Sequence, residues 1–127
     1  MIFGIGTDLV HIPRMQSLLA KHGDKIAQRI LSDSEFVSFQ QAHKPAAFLA
    51  KRFAAKEATA KALGTGFRDG LSLRHIGVSN NEYGKPELIF YERGLNLLDE
   101  LNIGRSLLSL SDESEYATAY VILMERE

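Results

Sequence analysis

The segment PAAFLAKRFAAKEATAKALGTG, Pro45 to Gly66, restricts the possible folds more than any other part of the chain. Pro45 opens a long helix there and Gly64 closes it: a proline in the first turn gives up an N–H that would have no partner, and a glycine takes the left-handed dihedral that ends a helix. Alanine fills most of the interval. Ala50, Ala54 and Ala58 keep the surroundings small, which leaves room for a ligand beside Glu57 and Lys61. Those two charges lie four residues apart and so share a helix face, as a pair or as part of a site. Lys56 is harder to place, because it lies in line with Leu49, Phe53, Ala60 and Leu63 on the apolar side. Either its stem carries the ammonium out to water, or the apolar face is partly a cleft.

Around this helix the chain alternates strands and helices without a linker or a repeat. Residues 2–10 (IFGIGTDLV) form a first strand whose Gly4 and Gly6, at alternate positions, leave one face as bare backbone open to close approach. Pro13 to His22 is helical with Met15 and Leu19 on one face. Gly23 and Asp24 stop it and start a second helix through Ile26 and Ile30 to Leu31, and a third covers 33–42. The second half is strand-rich, with strands at 73–79 and 86–91 around the hairpin loop NNEYGK, a helix over 92–101, and strands at 106–111 and 116–124 around SDESE. Hairpin-length connections cannot make parallel crossovers, so the expectation is one α+β domain over 1–127 with a mainly antiparallel sheet.

Composition removes several function classes. There is no cysteine, which excludes disulfides, thiolate catalysis and cysteine metal sites. His11, His22, His43 and His75 show no metal-ligand spacing. A net charge of −1 supplies no global field toward nucleic acid or an anionic membrane, so charge recognition must be local. No apolar run approaches the roughly 18 residues of a membrane span, and the N-terminus lacks signal-peptide features, so a soluble cytoplasmic protein is expected.

Two glycine-containing stretches invite a phosphate reading. Gly64-Thr65-Gly66 permits close backbone approach but is first of all a helix C-cap, the wrong helix end for an anion. GIGTD lacks the third glycine and the immediate helix of a dinucleotide fingerprint. It does place Asp8 near the end of the first strand, where it either caps a turn or serves as second carboxylate for a hard cation such as Mg²⁺.

Four blocks in order, GIGTDLV, FLAKRFAAKEATAKALGTG, NEYGKP and SLSDESEYATAYVI, resemble the holo-acyl-carrier-protein synthases, the short trimeric class of 4′-phosphopantetheinyl transferases, over essentially the whole chain. The resemblance implies Mg²⁺-dependent transfer of the phosphopantetheine arm of coenzyme A to a serine of apo acyl carrier protein, in fatty acid biosynthesis. It puts the metal pair on Asp8 and Glu57 and a lysine beside the diphosphate at Lys61. Glu57, directly or through a bound water, is then also a base for the serine. Arg52, Gly64, Gly84, Lys85 and Pro86 match positions lining the nucleotide site, with Lys85 facing the 3′-phosphate. Lys56 is alternatively structural, its ammonium near a sheet edge. Asp112 stands where many members carry a histidine, so it either accepts a hydrogen bond from base or ribose or points away.

Residues 10–30 contain Arg14, Lys21, Lys25 and Arg29 against the single acid Asp24, with Met15 and Leu18 close to Arg14. In sign and position this matches a docking helix for an acidic carrier protein, and Arg14, Met15, Leu18, Lys21 and Lys25 are its candidate contacts. A homotrimer with sites between subunits follows from the resemblance alone. Two other classes fit the same residues: a non-catalytic adaptor using the basic helix, and a Mg²⁺-dependent nucleotide phosphohydrolase using water as nucleophile.

Overall fold

The long helix forms as its punctuation predicts. In a computed structural model describing all of residues 1–127, α4 runs Pro45–Leu63, with proline in its first turn and Gly64 at φ 82° as its left-handed cap. Before it come β1 (Ile2–His11), α1 (Ile12–His22), α2 (Asp24–Ile30) and α3 (Asp33–Gln40). After it come β2 (Ile76–Asn80), β3 (Pro86–Phe90), α5 (Arg93–Glu100), β4 (Ile103–Asp112) and β5 (Tyr116–Glu125). The strand expected to begin at Leu73 begins at Ile76. Leu73–His75 is a 3₁₀ turn, capped by Ser72, that delivers the chain into β2.

All pairing is antiparallel, in two sheets. One has the order β1-β5-β4 and the other is the β2–β3 hairpin. In the first, Asp8 lies opposite Ala119 and Thr7 opposite Tyr120, and the Thr118 hydroxyl donates to the Asp8 carbonyl at 2.9 Å.

What approaches the bare face of β1 is α4. A Cβ at Gly4 would stand 2.1 Å from the Ala62 carbonyl oxygen, and one at Gly6 would stand 1.9 Å from that of Ala58. Ala54, Ala55 and Ala58 are fully buried. The alanine strip therefore serves helix-on-sheet contact and leaves no ligand space, contrary to the expectation from spacing. Backbone meets backbone here, and this seats α4 against β1 with little freedom to shift.

Behind this contact Val121, Leu123 and Ile103 join Leu63, Ile76 and Leu97 in one core. Ile12, Met15, Ile30 and Leu31 pack on Leu49 and Ala50 in a second, at the first half of α4. The opposite face of the three-stranded sheet has no cover. Ile5 is 68% exposed, Leu9 65% and Tyr120 60%. No helix is long and apolar enough to cross a membrane.

Candidate active site

Because the Gly6 and Ala58 backbones touch, the residues flanking Ala58 on α4 stand beside those that follow Gly6 on β1. Glu57 and Lys61 thereby come next to Asp8, from which they are 49 and 53 residues away in sequence. The Lys61 ammonium donates to Asp8 Oδ1 at 3.0 Å and to the Thr7 carbonyl at 2.8 Å. Its ion-pair partner is therefore Asp8 and not Glu57, so the helical pair suggested by the four-residue spacing does not form. The Glu57 carboxyl has its pKa raised, chiefly by burial and next by the negative charge of Asp8, with Lys61 partly opposing. Three charged groups thus share one small field.

Asp8 and Glu57 open onto a cleft of about 630 Å³, within the usual range for ligand pockets. Its apolar wall includes Leu18, Ile26, Ile30 and Phe53, and Arg14 and Arg29 also line it. Met15, 4% exposed, packs in the second core and lines the floor of the cleft between Arg14 and Leu18. Lys21 and Lys25 are exposed on α1 and α2 and do not line the cleft.

No cluster of three or more histidine, aspartate or glutamate side chains could hold a metal by itself. The two carboxylates nevertheless fit Mg²⁺, which binds through one or two carboxylates, substrate phosphates and water. Lys61 supplies the only cation that the structure pairs with Asp8.

The residues expected around the nucleotide do not gather here. Arg52 precedes Glu57 by five residues, which turns it about 140° around the helix and sets it roughly 7.5 Å lower. Its guanidinium is buried, 4.6 Å from the Phe48 ring centre, and donates from Nη2 to Asn80 Oδ1 at 3.3 Å. Asn80 Nδ2 in turn donates to the Gly84 carbonyl at 2.9 Å. Arg52, Gly84, Lys85 and Pro86 thus form one group around the β2–β3 loop, with Gly84 at φ 82° and Lys85 exposed. Gly64 follows Glu57 by two turns on its own side of the helix. In the GTG segment the Gly64 amide returns to the Lys61 carbonyl and the Gly66 amide to that of Ala60, so both close the helix. Open space surrounds Gly64, and close approach remains available to it. The Asp112 carboxylate lies 3.4 Å from the Lys51 ammonium.

Lys56 neither reaches water nor lines a cleft. It is fully buried, and its ammonium donates to Glu35 Oε1 at 2.7 Å, to the Leu73 carbonyl at 3.0 Å and to the Ile76 carbonyl. The reading of an ammonium at a sheet edge holds, since Ile76 starts β2. Glu35 and Asn80 went unnoticed in the sequence. A signal did exist: a lysine on a buried helix face requires a carboxylate, and Ser32-x-x-Glu35 has the spacing of a capping box, which forms.

A family model described as the 4′-phosphopantetheinyl transferase superfamily matches residues 4–121. Holo-[acyl-carrier-protein] synthase of Nitrosococcus oceani is 54% identical over 128 aligned positions, covering 100% of this chain and 83% of that protein. The crystal structure of holo-[acyl-carrier-protein] synthase from Neisseria meningitidis superposes with a TM-score of 0.94 at 46% identity, covering 98% of this chain and 100% of that one. A Bacillus anthracis holo-(acyl-carrier-protein) synthase, solved in complex with CoA (3′,5′-ADP), gives a TM-score of 0.83 at 35% identity and covers 99% of each chain. The chain belongs to this superfamily, and within it to the holo-[acyl-carrier-protein] synthases.

Proposed function

We propose, with membership of the 4′-phosphopantetheinyl transferases as premise, that residues 1–127 act as one transferase unit. It moves the phosphopantetheine arm of coenzyme A onto a serine hydroxyl of apo acyl carrier protein, releases adenosine 3′,5′-bisphosphate, depends on Mg²⁺, and works in the cytoplasm for fatty acid synthesis. The observation that carries this reading is the convergence of Asp8 and Glu57 with the Lys61 ammonium beside one cleft. A diphosphate ester brings concentrated negative charge, and a site meant for it needs cations and metal-binding oxygens together.

Asp8 and Glu57 hold the Mg²⁺, which when bound neutralises charge on the diphosphate. Lys61 is 54% exposed and free to turn its ammonium from Asp8 toward the oxygen of the leaving adenosine bisphosphate. Glu57, its pKa already raised, takes the serine proton directly or through a water. Arg14, Lys21 and Lys25, with Leu18 beside them and Met15 packed underneath, form the surface for the acidic carrier.

Arg52, Gly84, Lys85 and Pro86 hold the nucleotide end of coenzyme A with Gly64, but in one copy they lie away from Glu57. The site therefore joins two copies, in a homotrimer. Supporting this, Lys61 shares a concavity with Ile5, Tyr120 and Ile122 on the uncovered sheet face, so a neighbour covering that face would also border the metal site.

Mass spectrometry of apo acyl carrier protein incubated with coenzyme A, Mg²⁺ and the enzyme tests the reading. One phosphopantetheine increment is expected, and only when all components are present. Release of adenosine bisphosphate without carrier would instead identify a hydrolase. Carrier binding that needs neither coenzyme A nor Mg²⁺, with no mass gain, would identify an adaptor.

A further inference from the structure

One carboxylate at the centre of the molecule gathers four donors from three segments. Glu35 is 3% exposed. Its Oε1 accepts from the Ser32 amide at 2.9 Å, the Ser32 hydroxyl at 3.1 Å and the Lys56 ammonium at 2.7 Å. Its Oε2 accepts from the Val78 amide at 2.9 Å, with Arg52 Nε at 3.7 Å as a close charge without a hydrogen bond. Lys56 completes its own three donors on Glu35, Leu73 and Ile76.

Stability alone is a poor reason for such a cluster, since well-packed apolar side chains often serve as well as a buried ion pair. Its geometry has a different consequence. The contacts fall in sequence along β2: Lys56 on Ile76, Glu35 on Val78, Arg52 on Asn80, and Asn80 on Gly84. Beyond this row lies the Asn81–Lys85 loop, where the Asn81 side chain accepts from the Tyr83 and Lys85 amides.

We infer that Glu35, Lys56 and Asn80 are positioning residues for coenzyme A: together with Arg52 they hold β2 and its loop on α4 in the arrangement that binds the nucleotide. This rests on the assignment of Arg52, Gly84 and Lys85 to the nucleotide site. Glu35 and Lys56 set the strand and Asn80 passes the constraint to the loop. None of the three needs to touch substrate. All act on the affinity for coenzyme A and not on the chemical step at Glu57, which leaves α4 in another direction.

Two variants and two readouts test this. Lys56→Met removes the charge and retains an unbranched stem. Asn80→Ala, at an exposed position, cuts the link to Gly84 and is the variant that remains informative if the buried change prevents folding. Hydrogen exchange on the ligand-free protein should show faster exchange at the amides of Asn81, Tyr83, Gly84 and Lys85 in each soluble variant, with α4 amides unaffected in Asn80→Ala. Steady-state kinetics should show the KM for coenzyme A up about tenfold and kcat within about twofold. Unchanged loop exchange in Asn80→Ala would overturn the positioning role. A loosened loop with wild-type KM would instead remove the loop from the nucleotide site, and the inference with it. A fall in kcat with constant KM would make the cluster part of the chemical step or of general stability. Wild type that fails to bind coenzyme A refutes the proposed function itself, a result separate from these.

Discussion

Lys56 and Glu57 are consecutive residues of one helix, and they meet opposite electrostatic conditions. Lys56 is fully buried and every donor it has is taken, by Glu35 and two carbonyls. Burial lowers its pKa and Glu35 opposes that shift, but only the ammonium can supply three acceptors at once. Glu57 is half-buried, and the nearest charge that raises its pKa is another carboxylate, Asp8. Charges that find partners within the chain organise the fold. Those placed beside a like charge wait for a ligand, which is why strained ionisable groups in a cleft point to function.

The largest effect should come from the under-partnered side. Asp8→Ala and Glu57→Ala are each expected to lower transfer by roughly a hundredfold or more, comparable to losing a direct electrostatic contact in a transition state. Melting temperature should stay or rise in Glu57→Ala, because one of two repelling carboxylates is gone, and should change little in Asp8→Ala, which also gives up the exposed ion pair with Lys61. Activity that declines only in step with unfolding would place both residues with Lys56 as structural groups. The shift at Glu57 gives the pH dependence its sign. With its folded-state pKa above the unfolded value, the native state binds more protons between the two, so this group's contribution to stability falls as pH rises through that window. The stabilisation of Glu57→Gln over wild type should therefore be greatest at neutral pH and vanish as pH drops below the ordinary carboxylate value. A gain independent of pH would contradict the assigned cause.

Next in size is Lys61→Ala, expected to lower turnover by about tenfold or more while the carrier constant changes little, since its charge is needed where the leaving group forms. Weaker carrier binding at preserved turnover would move Lys61 to the protein interface. Gly6→Ala attacks the contact that places the two sides. Its methyl would meet the Ala58 carbonyl, and overpacking of that kind costs about 1–3 kcal/mol. A chemical melt at wild-type midpoint would show that α4 can lift from β1 without loss.

The smallest effects belong to the exposed basic surface. Arg14→Glu with Lys21→Glu should raise the KM for carrier protein and leave that for coenzyme A alone. Wild-type KM for carrier should rise with salt, as exposed charges are screened beyond about 8–10 Å, and the double variant should show a flatter dependence. Wild-type carrier affinity in the double variant at low salt would locate docking elsewhere.

How much of this the sequence discloses depends on how local each signal is. Proline and glycine act on their own backbone, so α4 from Pro45 to Gly64 was legible almost to the residue. The Asn and Gly of NNEYGK likewise announced the β2–β3 loop. Asp8 and Glu57 could be singled out by residue type and resemblance, yet their mutual approach depends on Gly6 lying against Ala58, a contact across more than fifty residues that no local rule supplies. The same limit concealed Glu35, 21 residues from Lys56, which reads locally as a helix cap. It also explains the alanines: small residues at helical spacing are compatible with either a ligand or a close-packed strand, and Gly4 and Gly6 opposite them decide for the strand.

The contrast between the two neighbours reduces to one measurement, the initial rate of phosphopantetheine transfer at saturating coenzyme A and carrier protein, per mole of folded enzyme, for Glu57→Gln and Lys56→Met side by side. The expected result is a loss of about a hundredfold or more for Glu57→Gln and a rate within about twofold of wild type for Lys56→Met. Equal losses in the two variants, or the larger loss in Lys56→Met, would contradict the division of α4 into a face that builds the fold and a face that performs the transfer.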